Sequence, residues 1–165
     1  DRMGQPGQRP DREIGSMLEL PEKLRFLVET MASVQNQNER VQMLLDFAER
    51  FKEVPEQVAQ RPFPEQNRVA FCESEAYVWA EEQPDGTAKF YFAVENPAGV
   101  SAKALAYILD RTLSGVPLDQ VLRVSPDIVM AIFRQNISMG KGMGLMAMVQ
   151  TVQKLASDMI RNKHQ

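Results

Sequence analysis

Residues 68–94 read RVAFCESEAYVWAEEQPDGTAKFYFAV. Tyr77, Val78 and Trp79 precede a Pro84-Asp85-Gly86 turn signal, and Phe90, Tyr91 and Phe92 follow it. Aromatic and β-branched residues on both sides of such a turn predict a β-hairpin. One extended stretch covers Arg68 to Glu82, the other Ala88 to Val94, and a third strand is expected around Val69. If the first stretch is continuous, its period of two puts Phe71, Glu73, Tyr77 and Trp79 on one face, for core packing. Glu81 and Glu82 then point to opposite faces, as solvated charge and not as a carboxylate pair for acid/base work.

Upstream of the hairpin the pattern is helical. From Leu20, with Pro21 at a first helical position, Leu24, Leu27, Val28 and Met31 recur at three- and four-residue spacing. A second helix is expected to be capped by Asn38 and to carry a stripe of Val41, Leu44, Leu45, Ala48 and Phe51, ending before Pro55. Pro55 to Gln66 holds three prolines and reads as an extended connector.

Downstream, Val100, Ala104, Leu105, Ile108 and Leu109 mark another helix, followed by a short one from Leu118 to Val124 and a helix start at Ser125-Pro126-Asp127. A last long helix runs from Met143 to Ile160. Strands are thus segregated from helices, and the class is α+β: N-terminal helices, a small antiparallel sheet built on a hairpin, and C-terminal helices. The absence of βαβ alternation argues against a Rossmann architecture.

A chain of 165 residues, 44% hydrophobic and 25% charged, suits one domain with a tail. Residues 1–16 are rich in charge, Gly, Pro and Gln, and residues 1–19 are expected to be a disordered tail before a domain over 20–163. The formal net charge of -3, with no Lys/Arg cluster, argues against nucleic acid. No apolar run approaches the roughly 20 residues that span a bilayer, so no membrane association is expected, and the chain reads as soluble and intracellular.

Chemistry narrows to one side chain. The single cysteine, Cys72, can form neither an intramolecular disulfide nor a thiolate-rich metal site within one chain, which fits a reducing compartment. It lies where one extended stretch gives way to the next, a place from which a side chain can reach outward. An unpaired cysteine is equally at home as a small buried hydrophobe. Glu73 and Glu75 would disfavour its thiolate if both faced it. The single histidine, His164, stands beside the C-terminal residue, which weakens any thiol hydrolase reading that needs a base.

Two features invite functional readings and resist them. Gly140-Lys141-Gly142-Met143-Gly144 lacks the order of a phosphate loop. Met139, Met143, Met146 and Met148, at helical spacing, suit a core or an adaptable contact surface better than soft-metal ligation.

Asn67, Val69, Cys72, Ser74, Tyr77 and Val78 fit, without gaps, the Asn-x-Val-x-Gly-Cys-x-Ser-x-Val-(aromatic)-(aliphatic) stretch of SufE-like cysteine desulfuration proteins, which this chain resembles from about Leu20 to Ile160. Phe71 stands where that family has glycine, a residue that frees φ. Lys141 falls at the arginine of the family's Ser-Arg-x-x-Gly segment, keeping the charge without the bidentate fork. The family's acidic run corresponds best to Glu95-Asn96-Pro97, shifted by one residue.

The resemblance implies a SufE/IscU-like fold and a sulfur acceptor and carrier. Cys72 would accept persulfide sulfur from a SufS-like cysteine desulfurase, stimulate it, and pass sulfur to a SufBCD-like iron-sulfur scaffold, with Ser74 and Lys141 in support. The desulfurase's pyridoxal phosphate belongs to the partner, and the chain itself is expected to hold no cofactor or metal. It would activate an enzyme instead of being a stand-alone one, as a monomer or homodimer, in the cytoplasm or, in a eukaryote, in a plastid or other organelle stroma. Phe71 and Trp79 are expected to line a shallow pocket sheltering the persulfide. The alternative from another class is a non-catalytic helical interaction module with a buried structural cysteine.

Overall fold

A computed structural model describes residues 19–164. The expected tail, residues 1–19, lies outside them apart from Glu19. The elements run α1 (Glu22–Ser33), α2 (Gln37–Arg50), β1 (Ala76–Glu82), β2 (Ala88–Val94), α3 (Val100–Leu113), α4 (Leu118–Leu122), α5 (Ile128–Phe133) and α6 (Met139–Lys163), with 3₁₀ turns at Glu65–Asn67 and Arg134–Asn136. Among the described residues the sheet is a two-stranded antiparallel hairpin, with Tyr77 opposite Ala93 and Trp79 opposite Tyr91. The α+β class and the helix-hairpin-helix order hold.

The alternation that predicts the hairpin also gives it two apolar faces. Val78, Phe90 and Phe92 turn into the main core with Leu24 and Met31 of α1, Leu105, Ile108 and Leu109 of α3, and Met148 and Val152 of α6. Burying each such side chain contributes about 2 kcal/mol. On the opposite face Tyr77 and Ala93 pack with Val54, just before the proline-rich connector, and Phe63 within it. Phe63 lies edge-on to Trp79, with ring centroids 5.0 Å apart. The connector is therefore a lid on the sheet: Val54 donates its N–H to Phe92 C=O at 2.8 Å. Arg61 ties it to the end of β2, reaching Glu95 Oε1 and Glu53 Oε1 at 2.7 Å each.

Several local expectations are corrected. Pro21 precedes α1 as its cap residue and is not inside it. Asn36, not Asn38, caps α2, its Oδ1 accepting from Glu39 N–H at 3.1 Å. Asn38 lies within the first turn, where its own N–H is already an orphan. The buried stripe of α2 is turned by one residue: Arg40 and Leu44 face inward, while Val41 and Leu45 are exposed. Arg40 is 1% exposed, and it donates to Met31 C=O at 2.6 Å and Ile132 C=O at 2.9 Å, joining the C-terminal turns of α1 and α5. Periodicity misses this because an arginine counts as polar until its fork finds helix-terminal carbonyls.

The third strand near Val69 reduces to one bridge between Arg68 and Tyr77. The segment before β1 cannot stay extended, because Phe71 and Glu75 have φ of 59° and 52°. The connector also contains the 3₁₀ turn Glu65–Asn67 and is not wholly extended. The last helix starts four residues earlier than its apolar stripe, at Met139, because Ser138 Oγ caps it by accepting from Lys141 N–H at 3.2 Å.

Candidate functional site

The Cys72 loop is fixed at both ends by residues of the motif. Asn67 Nδ2 donates to Val78 C=O at 2.9 Å, binding the start of the loop to β1. Val69 is buried, and its N–H donates to Ala76 C=O at 2.8 Å. Between these anchors the chain turns back, with Glu75 N–H donating to Cys72 C=O at 3.1 Å. The two left-handed residues, Phe71 and Glu75, flank this turn. Phe71 thus takes the backbone region that glycine enters freely, and its ring is 78% exposed. It does not share the buried face of Tyr77, contrary to the expectation from alternation.

Two glycines seat the loop. A Cβ on Gly144 of α6 would stand 2.9 Å from Phe71 O and 3.1 Å from the Cys72 Cα. A Cβ on Gly99, just before α3, would stand 2.7 Å from Ser74 Oγ. Real Cβ atoms do not approach closer than 3.0 Å, so the loop sits directly against glycine backbone at both points. Neither contact is evident in the linear sequence, where Gly140 to Gly144 reads only as a failed phosphate loop. A glycine kept inside a helical stretch is the signal that could reveal it, since each helical glycine costs about 1 kcal/mol relative to alanine.

One side of the loop opens onto a partly open cavity of about 80 Å³ lined by Cys72, Ser74, Asn96, Ala102, Lys141 and Leu145, among others. Cys72 is partly buried, packed against the main core on one side, and it also borders an open groove with Arg68 and Ala70. The thiol therefore borders a small recess on one side and a more open groove on the other.

The structure brings Cys72, Ser74 and Lys141 to one cavity, as well as Asn96 of the shifted acidic run. Glu95, its neighbour, is held instead by Arg61. Trp79 is not brought there: it packs on Phe63 and Tyr77 at the opposite face of the hairpin. Phe71 does line the cavity but sends its ring to solvent. The methionines divide, with Met148 fully buried while Met139 is 86% and Met143 52% exposed at the start of α6. Phe71 and Val100, both exposed, line the cavity itself.

Among the described residues no group of His, Cys, Asp or Glu side chains could hold a metal ion. No helix among them is long and apolar enough to cross a membrane.

Comparison with known proteins agrees with this fold. A solution structure of a hypothetical protein from Thermus thermophilus superposes with a TM-score of 0.68 at 26% identity, covering 86% of this chain and 98% of that one. SufE-like protein 1, chloroplastic/mitochondrial, from Arabidopsis thaliana is 29% identical over 139 residues, which is 84% of this chain and 36% of that protein. The chain thus spans little more than a third of the curated relative it matches. The SufE family, described as an Fe-S metabolism associated domain, matches residues 25–156 and includes both Cys72 and Lys141, and the chain belongs to that family.

Proposed function

We propose that this protein is a sulfur acceptor and carrier that works with a pyridoxal phosphate-dependent cysteine desulfurase. The desulfurase holds sulfur as a persulfide on its own cysteine. The Cys72 thiolate attacks the outer sulfur of that persulfide, a new S–S bond forms, the donor S–S bond breaks, and the donor cysteine leaves as a thiolate. The proton lost by Cys72 ends on the released thiolate or in solvent, so no oxidant or reductant is consumed. Removal of sulfur frees the desulfurase for another turnover, which would stimulate it without contact with its cofactor. An iron-sulfur scaffold would receive the sulfur in a second exchange of the same kind.

The observation that carries this reading is the placement of Cys72 on a turn pressed against Gly144, with a small cavity on one side and an open groove on the other. Exchange needs a thiolate that another protein can reach, and storage needs a place where the outer sulfur is screened from reductants. The cavity suits storage, and Lys141 at its wall would complement an anionic persulfide. Phe71 and Val100, exposed at the same pocket as Cys72, supply apolar surface for docking beside the thiol. The rival interaction module requires a buried cysteine, and the partial exposure of Cys72 weighs against it.

Intact-mass spectrometry after incubation with a cysteine desulfurase and L-cysteine tests the proposal. One added, reductant-labile sulfur on the wild-type chain and none on Cys72→Ser supports it. Sulfur retained by Cys72→Ser, or absent from the wild type while the desulfurase turns over, rejects it.

A further inference from the structure

A second cleft, of about 400 Å³, lies between the end of α2, the edge of β2 and the outer side of α3, and shares no lining residue with the Cys72 cavity. Its size is within the range of recognition pockets. Its walls carry Tyr91 and Tyr107, both half-buried, with Tyr107 stacked on Phe47 at a centroid distance of 5.7 Å. Its charge is opposite in sign to that of the chain. Four cations, Arg50, Lys52, Lys89 and Arg111, line it against two carboxylates, Glu53 and Asp110.

Both carboxylates are already engaged. Arg61 holds Glu53 at 2.7 Å, and Lys89 Nζ holds Asp110 at 2.7 Å while Ser114 Oγ donates to the same oxygen. Arg50, Lys52 and Arg111 form no ion pair among the described residues. In a chain with 22 acidic and 19 basic residues, three uncommitted cations around one aromatic cleft form a local inversion of charge. Burial, with the Glu81 carboxylate hydrogen-bonded beside it, raises the Tyr91 pKa, so Tyr91 adds a neutral ring to the cleft while its hydroxyl is taken up by Glu81.

We infer that this cleft docks an acidic segment of a partner protein, with carboxylates meeting Arg50, Lys52 and Arg111 and an apolar side chain lying between the two tyrosines. The cations come from separate elements, Arg50 at the last position of α2, Lys52 just beyond it and Arg111 on α3, and are exposed. Cations carried on separate elements suit charges distributed along a peptide, whereas a compact phosphate calls for donors converging on one point. A nucleic acid strand needs a continuing basic track, and Asp46, Glu49 and Glu56 interrupt it along the same segment of chain. The inference is independent of sulfur transfer, because it uses neither Cys72 nor its cavity.

Fluorescence anisotropy with a fluorescein-labelled octapeptide, seven glutamates around a central phenylalanine, tests it on the full chain. Saturable binding that weakens as salt rises from about 0.02 to about 0.3 M is expected. The double variant Arg50→Glu/Lys52→Glu, and separately Arg111→Glu, should each weaken binding by about tenfold, with unchanged circular dichroism. Lys23→Glu, an exposed cation on α1, should leave it unaltered. Equal loss with Lys23→Glu, equal binding of the glutamine version of the peptide, or tighter binding of ATP, inorganic phosphate or an oligothymidylate at these residues would overturn it. Sulfur loading of Cys72 should persist in all three variants, so its failure would be separate from failure of this inference.

Discussion

The Cys72 Cα lies 3.1 Å from the point where a Cβ on Gly144 would stand, and Phe71 O is nearer still at 2.9 Å. A helix of the C-terminal half thus sets the position of the thiol. Gly144→Ala must move the loop, because both atoms it meets are backbone. Faster native alkylation of Cys72 and at least about a tenfold loss of sulfur acceptance are expected, despite the gain of about 1 kcal/mol in helix propensity. Gly140→Ala, with nothing within 4 Å of the new methyl, should instead raise the melting temperature and leave sulfur acceptance intact.

Phe71 holds a left-handed backbone at φ 59° while its ring is mostly in water. Phe71→Gly should therefore stabilise the protein by up to about 1 kcal/mol in chemical denaturation, and Phe71→Ala, which keeps a Cβ, should not. If the exposed ring meets the desulfurase, Phe71→Gly should also weaken that complex. Equal stabilisation by glycine and alanine would show that the backbone angle is not the cause.

Lys141 tests the electrostatic part of the sulfur-carrier reading. Lys141→Ala should shorten the lifetime of the Cys72 persulfide in the presence of glutathione, while Lys141→Arg restores it, because the charge and not the fork is what the cavity wall supplies. Persulfide decay followed by mass spectrometry separates these cases. Identical decay in wild type and Lys141→Ala would remove the residue from the mechanism.

Arg40 is buried with two carbonyls as its partners. Arg40→Ala deletes two charge-assisted hydrogen bonds, to Ile132 C=O and to Met31 C=O, which keeps only the Val34 N–H, a loss of about 3 kcal/mol measurable in urea. Lysine has the charge without the fork and should recover only part of it.

The raised Tyr91 pKa has a pH consequence with a definite sign. The unfolded chain ionises this hydroxyl near its ordinary value of 10.0, before the folded chain does. The contribution of Tyr91 is complete below the unfolded value and declines as pH rises toward the higher folded one. Tyr91→Phe should flatten stability over that alkaline range, leaving the neutral region unaltered in shape.

The hairpin was legible because its two strands are adjacent in sequence and their turn carries its own chemistry. Cys72, Ser74 and Lys141 were legible through motif resemblance, and they do meet at one cavity. The loop's course was not. Alternation carried through Phe71 predicts one extended face, whereas positive φ at Phe71 and Glu75 reverses the chain twice. The rotation of α2 was lost for a similar reason: Arg40 behaves as core only once the ends of α1 and α5 surround it.

Local pattern alone thus determined the order of helices and hairpin, the turn at Pro84-Asp85-Gly86, and the identity of the one thiol. Short-range sterics and apolar periodicity act between neighbours, so they are written in neighbouring residues. Which side of Cys72 borders the small recess, why Gly99 and Gly144 lack side chains, and where Trp79 packs depend on contacts between segments far apart along the chain. Only folding brings those atoms within van der Waals reach, and only there does steric exclusion choose the residue.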